Sequence, residues 1–316
     1  MDNTLQFKSD ELLVPGLKRV ITFQLVQAKE ICSGKEDIEI KAHEIRKHLK
    51  KTRSLLRIAR YNSSAKYNYK NLNRLCRDTG RLLSGIRDAY VYPETLEYLK
   101  KIYKRKLPNE TYQALSKKLI AYRENLTGDI NITGKLLQKT DQNLDKILEM
   151  IVSLRLEPAA TSDVFKGLQK TYTRGYKSLQ ATFTSQNTDM SGELFHEWRK
   201  QVKYLMYQLE FLYPIWPPMM KVHVKTLDSI SDILGIEHDI NELIDFICQE
   251  ENDIKIHGDG ILFFLAALKR ESCQYNAKIQ GKKYFSMKPG VFSRMLENWH
   301  QVFLENRKQK QGHQKS

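Results

Sequence analysis

The chain has 316 residues, 41% hydrophobic and 28% charged, which is enough to bury a sizeable core and long for a single one. Sparse Gly (15) and Pro (8) disfavour turn-rich β architectures and low-complexity or collagen-like chains. Against 37 Asp and Glu stand 52 Lys and Arg, a formal +15 that points to an anionic partner.

Apolar positions recur with a helical period throughout, and no sustained alternation marks a strand, so an all-α fold is expected. Pro15 opens a helix to about Ser33. The next runs from about Asp37 to Tyr61, and a third from about Lys66 to Leu83, ended by Ser84-Gly85. Pro93 opens a fourth, Asn109 a fifth and Gly134 a sixth that ends near Leu154. Glu157–Asp163 reads as a linker. The remaining helices are expected at about Val164–Phe183, Gly192–Leu212, Pro217–Leu234, His238–Glu250, Gly260–Gln280 and Pro289–Arg307. The division expected is one helical bundle over 8–157, a second over 158–306 and a disordered tail over 307–316.

The opening Met1-Asp2-Asn3 has no apolar signal stretch. Ile261–Leu268 and Phe211–Met220 are the longest apolar runs, and both fall short of the ~20 residues a membrane span needs. Cys32, Cys76, Cys248 and Cys273 form no Cys-x-x-Cys pair. A cytoplasmic protein with reduced thiols is expected, with no membrane association, no cofactor and no structural metal.

Charge is concentrated. Lys41–Arg87 holds fourteen Lys and Arg and only two acids, Glu44 and Asp78, which is +12 of the total. Three segments recur in order at offsets of 151–153. Gly16-Leu17-Lys18-Arg19 matches Gly167-Leu168-Gln169-Lys170. His43-Glu44-Ile45-Arg46-Lys47-His48-Leu49-Lys50 matches His196-Glu197-Trp198-Arg199-Lys200-Gln201-Val202-Lys203. Leu82–Asp88 matches Ile233–Asp239. An internal duplication, two related four-helix-type bundles about a pseudo-twofold axis, is the reading this supports.

On the second helix Ile45, Leu49, Thr52, Leu56 and Ala59 form an inward stripe, and Trp198, Leu205 and Leu209 match it in the second half. Beside it Arg46, Lys50, Arg53, Arg57 and Arg60 trace a basic stripe with His43 and Lys47 alongside. On the third helix Lys70, Arg74, Arg77 and Arg81 trace another. Like charges at i, i+4 destabilise a helix by several tenths of a kcal/mol per pair unless an anion relieves them.

These motifs resemble the CHAD domain, the conserved histidine α-helical domain. The resemblance covers residues 8–306 and rests on the two His-x-x-Arg helices, the segments ending in Arg87-Asp88 and His238-Asp239, and Gly167–Lys177. It implies a helical domain with a basic central cleft that binds inorganic polyphosphate, without catalysis, in the cytoplasm or at polyphosphate granules. Carried over residue by residue, the binding set is His43, Arg46, Lys47, Lys50, Lys51, Arg53, Arg57, Lys70, Arg74, Arg77, Arg81 and Arg87 in the first half. In the second it is Lys170, Arg174, Lys177, His196, Arg199, Lys200, Lys203 and His238. Tyr204 and Met206 stand where the family pattern has basic residues, and Ser84 replaces a glycine. Asp37-Ile38-Glu39-Ile40-Lys41 mimics the Glu-x-Glu-x-Lys signature of triphosphate-tunnel hydrolases but reads as the start of a helix.

Two other functions stay open. Tyr61, Tyr67 and Tyr69 beside the basic helices would stack bases in a nucleic-acid binder. His196, His238-Asp239 and Asp245 or Asp253 follow the order of a metal phosphohydrolase, although Arg87, the counterpart of His238, does not ligate metals. Asp88 and Asp239 read as caps or partners of an arginine, and His223 and His300 as surface or core residues. Lys100-Lys101 with Lys104-Arg105-Lys106 is either an extension of the groove or a solvated face. Shifted by 151–153, the stripes lose charge: Met206, Glu210 and Tyr213 replace Arg53, Arg57 and Arg60, and Asp228 and Asp232 replace Arg77 and Arg81. A ligand held centrally and leaving over the first half alone is the expectation.

Overall fold

The computed structural model describes residues 3–61, 66–158, 161–184, 191–249 and 260–313. The fold is all-α, with no strand among the described residues. Its helices are α1 (Leu13–Ser33), α2 (Ile38–Ala59), α3 (Lys66–Leu82), α4 (Ser84–Tyr103), α5 (Asn109–Gly128) and α6 (Ile130–Val152). They continue as α7 (Thr161–Thr184), α8 (Ser191–Phe211), α9 (Pro217–Cys248), α10 (Gly260–Tyr284) and α11 (Pro289–His313). No described helix is long and apolar enough to cross a membrane.

Local chemistry accounts for several ends. Pro15 lies in the first turn of α1, and Pro217 and Pro289 open α9 and α11, where an amide N–H would lack a helical partner. Asp129 caps α6 five residues ahead of the expected Gly134, its Oδ1 accepting from the N–H groups of Asn131 and Ile132 at 2.9 and 3.0 Å.

Elsewhere the helices run through residues expected to stop them. Pro93 does not open a helix but lies inside α4. An interior proline costs about 3 kcal/mol, and burial of Tyr92, Leu96 and Leu99 around it offsets that cost. The expected break between Leu234 and His238 is absent, because α9 continues through Gly235. A glycine there costs only ~1 kcal/mol, which the packing of the surrounding buried residues of α9 offsets. The tail expected to be disordered from Arg307 continues α11 to His313, and Arg307 donates to the carbonyl oxygens of Asp10 and Glu11.

The inward stripe of α2 is buried as expected, Ile45, Leu49, Thr52, Leu56 and Ala59 all lying at 4% exposure or less. It belongs to a core that also contains Trp198, Val202, Leu205 and Leu209 of α8. A second core joins Tyr92, Leu96 and Leu119 to Ile240, Phe246 and Leu265. Both cores therefore draw on residues from either side of the 157–163 segment. Contact between α2 and the second half is close. Ser54 Oγ donates to the Tyr204 carbonyl at 2.7 Å, and Gln208 Nε2 donates to the Ser54 carbonyl at 3.0 Å. At Gly167 of α7 a Cβ would lie 2.7 Å from Ile58 Cα, so only glycine permits this approach.

Candidate functional site

Helix geometry puts residues four apart on one face. On α2 this pairs Arg46 with Lys50, on α8 it pairs Arg199 with Lys203, and α2 packs against α8. Two cation pairs are thus brought together at the seam, with Arg87 of α4 beside them.

Lys50 is the centre of this group. Its charged form is disfavoured by the protein around it, then by Arg199, Arg46, Arg87 and Lys203, and its pKa falls to about 7. Yet Lys50 is exposed to water. Lys50 is thus crowded by the surrounding protein yet reaches solvent. Solvent access screens the neighbouring charges in part. Lys50 makes no hydrogen bond or ion pair among the described residues. Beside it, Arg199 is held down by burial, and its Nε is buried without a hydrogen-bond acceptor. A buried charged donor left unmatched is costly in a finished fold and inexpensive once an anion fills the site.

The remaining partners are mostly internal. Arg46 donates to the Gly80 carbonyl at the end of α3. Arg87 donates to Asp88 Oδ1 at 3.2 Å and to Asp239 Oδ1 at 3.1 Å, and these carboxylates outweigh its burial to raise its pKa. Both acids thus serve an arginine, as the sequence suggested. His196 Nδ1 and His238 Nδ1 lie 3.2 Å apart, so one ring donates to the other. Burial pushes both down, His196 to about 4 and His238 further, with Lys200 and Arg199 acting on the first and His196 and Arg199 on the second. His43 is lowered by the surrounding protein while Glu44, 3.6 Å away, opposes the shift.

Not every predicted residue joins this group. Lys51 is buried at 4% exposure. Lys47 pairs with Glu44 at 3.1 Å and Lys200 with Glu197 at 2.5 Å. Lys203 stands 3.6 Å from Asp228, with Asp232 nearby. Arg57 lies 4.1 Å over the Tyr204 ring and Arg53 5.9 Å over the same ring, so the tyrosine that departs from the family pattern serves as a platform for two arginines. On α3, Lys70, Arg74 and Arg81 are exposed, and Arg77 and Arg81 flank Asp78 at 2.8 and 3.8 Å. Lys170, Arg174 and Lys177 of α7 make no hydrogen bond or ion pair with the central group. The His–His contact and the Arg46–Gly80 bond were missed, since neither leaves a pattern in one chain.

A pocket of about 750 Å³ opens alongside, lined by His43, Glu44, Arg87, Tyr90, Glu94 and Asp239 among others. Its carboxylates make it a poor host for phosphate, so the candidate site is the group of cations around Lys50 rather than this pocket. The aromatic rings offered for base stacking are partly occupied: Arg60 lies 5.3 and 5.0 Å over Tyr61 and Tyr69. The side chain of Tyr67 and all of Asp253 lie outside the described residues. Among the described residues no three of His, Cys, Asp and Glu gather as metal ligands would. His300 is buried at 3% exposure against Phe165, and His223 meets the Tyr284 hydroxyl at 3.2 Å.

Residues 24–248 match the family model of the CHAD domain. No curated protein matches the chain.

Proposed function

Since this chain belongs to the CHAD domain family, we propose that it binds inorganic polyphosphate in a cationic central cleft and does not cleave it. The observation that carries the reading is Lys50, open to water, without a counter-ion and pressed by Arg46, Arg87, Arg199 and Lys203. A phosphate chain supplies closely spaced negative charges with no bases to accommodate, and charge-assisted bonds to Arg199 Nε and Lys50 Nζ would satisfy both groups. The two halves descend in this reading from one duplicated bundle. In support, α1–α2, α2–α3 and α1–α6 pack together in the first half as α7–α8, α8–α9 and α7–α11 do in the second. The protein acts in the cytoplasm, where polyphosphate granules are its expected location.

The deciding experiment titrates long-chain polyphosphate and single-stranded RNA of equal charge against the protein at ~150 mM salt. Polyphosphate should bind more tightly and resist displacement by RNA. Preference for RNA would give the nucleic-acid reading. Steady phosphate release from polyphosphate with Mg²⁺, Mn²⁺ or Zn²⁺ would give a hydrolase instead.

A further inference from the structure

Helix α10 is apolar on two sides. Leu262, Leu265, Ala266, Cys273 and Ala277 are buried against the body of the protein. At 100° per residue the opposite side carries Ile261, Phe264, Leu268, Tyr275 and Ile279, which are 40%, 62%, 43%, 66% and 39% exposed. The steps between these five are three, four, seven and four residues, the spacing of a coiled-coil seam. A helix hydrophobic all round normally lies inside a protein. With ~200 Å² for a large side chain, the five leave about 500 Å² of mostly apolar surface in one strip. Isolated surface hydrophobes need no explanation, but five on one helix face do, even with exposed Glu271 and Ser272 between Leu268 and Tyr275.

We propose that this face docks a second copy of the chain, α10 against α10, antiparallel about a twofold axis between Glu271 and Ser272. A twofold interface must be complementary to itself, and the steps of four, seven and four from Phe264 to Ile279 have that symmetry, while Ile261 falls opposite Lys282. In an antiparallel pair centred there, Phe264 of one copy meets Ile279 of the other, and Leu268 meets Tyr275. Charge selects the antiparallel sense. The last turn of α10 carries Lys282 and Lys283; a parallel pair would set these lysines side by side, whereas the antiparallel pair sends them to opposite ends. Lys278 and Lys282 are also turned onto their own chain, over Phe183 at 5.1 and 4.4 Å. Two such strips remove about 1,000 Å² from water, the lower bound for a specific interface. None of the five is among the cations around Lys50, so the dimer is expected without polyphosphate.

The test is sedimentation equilibrium of the full chain without polyanion across a wide concentration range. The mass should rise from 37.1 kDa to twice that value. In a Cys248→Ser background, Ser272→Cys should form an inter-chain disulfide across the axis. Phe264→Glu with Tyr275→Glu should weaken dimerisation by about a hundredfold or more with the helical circular dichroism unchanged; Leu268→Glu is the substitute if that pair fails to fold. A mass of 37.1 kDa throughout overturns the proposal, as does a dimer that survives these charges. A monomer that instead co-sediments through this strip with phosphatidylserine vesicles would make the face a membrane-binding one.

Discussion

Lys50 holds its proton against four neighbouring cations, and an arriving anion changes that balance. The folded, ligand-free protein binds fewer protons at Lys50 than the unfolded chain does between about pH 7 and the ordinary lysine value of 10.5. In that window Lys50 favours stability at higher pH, and its contribution is lost as pH falls. In the proposed complex, polyphosphate would supply the missing negative charge and return the amine to its ammonium form. Binding near pH 8 should therefore take up protons. Calorimetry in buffers of different ionisation enthalpy measures this, and Lys50→Met should abolish the uptake; equal heats in all buffers would refute it. The histidine pair acts in a neighbouring window. His196 is lowered from 6.5 to about 4, so the unfolded chain takes up its proton first as the solution is acidified. Stability present above pH 6.5 should decline by on the order of 1–3 kcal/mol on the way to pH 4, and polyphosphate should restore part of it. Thermal melts of the wild type and His196→Asn across that range test this, and a parallel decline in both would remove His196 as its source.

The elements tell a different story from the residues they carry. The inward stripe of α2 was legible because burial repeats with the helix period, and Ile45 to Ala59 are all buried. Lys51, carried over from the family resemblance rather than from the stripe, is buried, because one step round the helix separates the solvent face from the core. Gly235 and Pro93 misled for another reason. Local propensity is worth one to about three kcal/mol, and tertiary packing outweighs it at both places. The partners of Arg46 and His196 were illegible, since each lies on a different helix and only packing selects it. Gly167 offers a direct check on that packing. Gly167→Ala forces a methyl group against the Ile58 backbone and should destabilise the protein by about 1–3 kcal/mol, read as a lower urea midpoint at constant m-value. A neutral result would mean α2 and α7 can separate slightly at no cost.

At the scale of the whole molecule the proposed cleft is uneven. On the first-half side stand Arg53 and Arg57 above Tyr204 and the exposed cations of α3. On the second-half side Asp228 and Asp232 lie beside Lys203. A long polyanion is repelled on one flank and drawn along the other. Arg53→Ala with Arg57→Ala should weaken long-chain polyphosphate by about 1–3 kcal/mol and short chains less, whereas Lys221→Ala with Lys225→Ala, the exposed counterparts on α9 of Lys70 and Arg74, should cost far less. Equal losses, with helical content intact, would favour a symmetric site. Both apolar cores cross the 157–163 segment, α2 packing on α8 and α4 on α9. Cutting the backbone within that segment would leave each fragment with half of two interiors facing water. Neither fragment should be soluble by itself, yet the two produced together should reassemble without a covalent link, as the halves of a split reporter do, and joining them is then a readout for anything that separates α2 from α8.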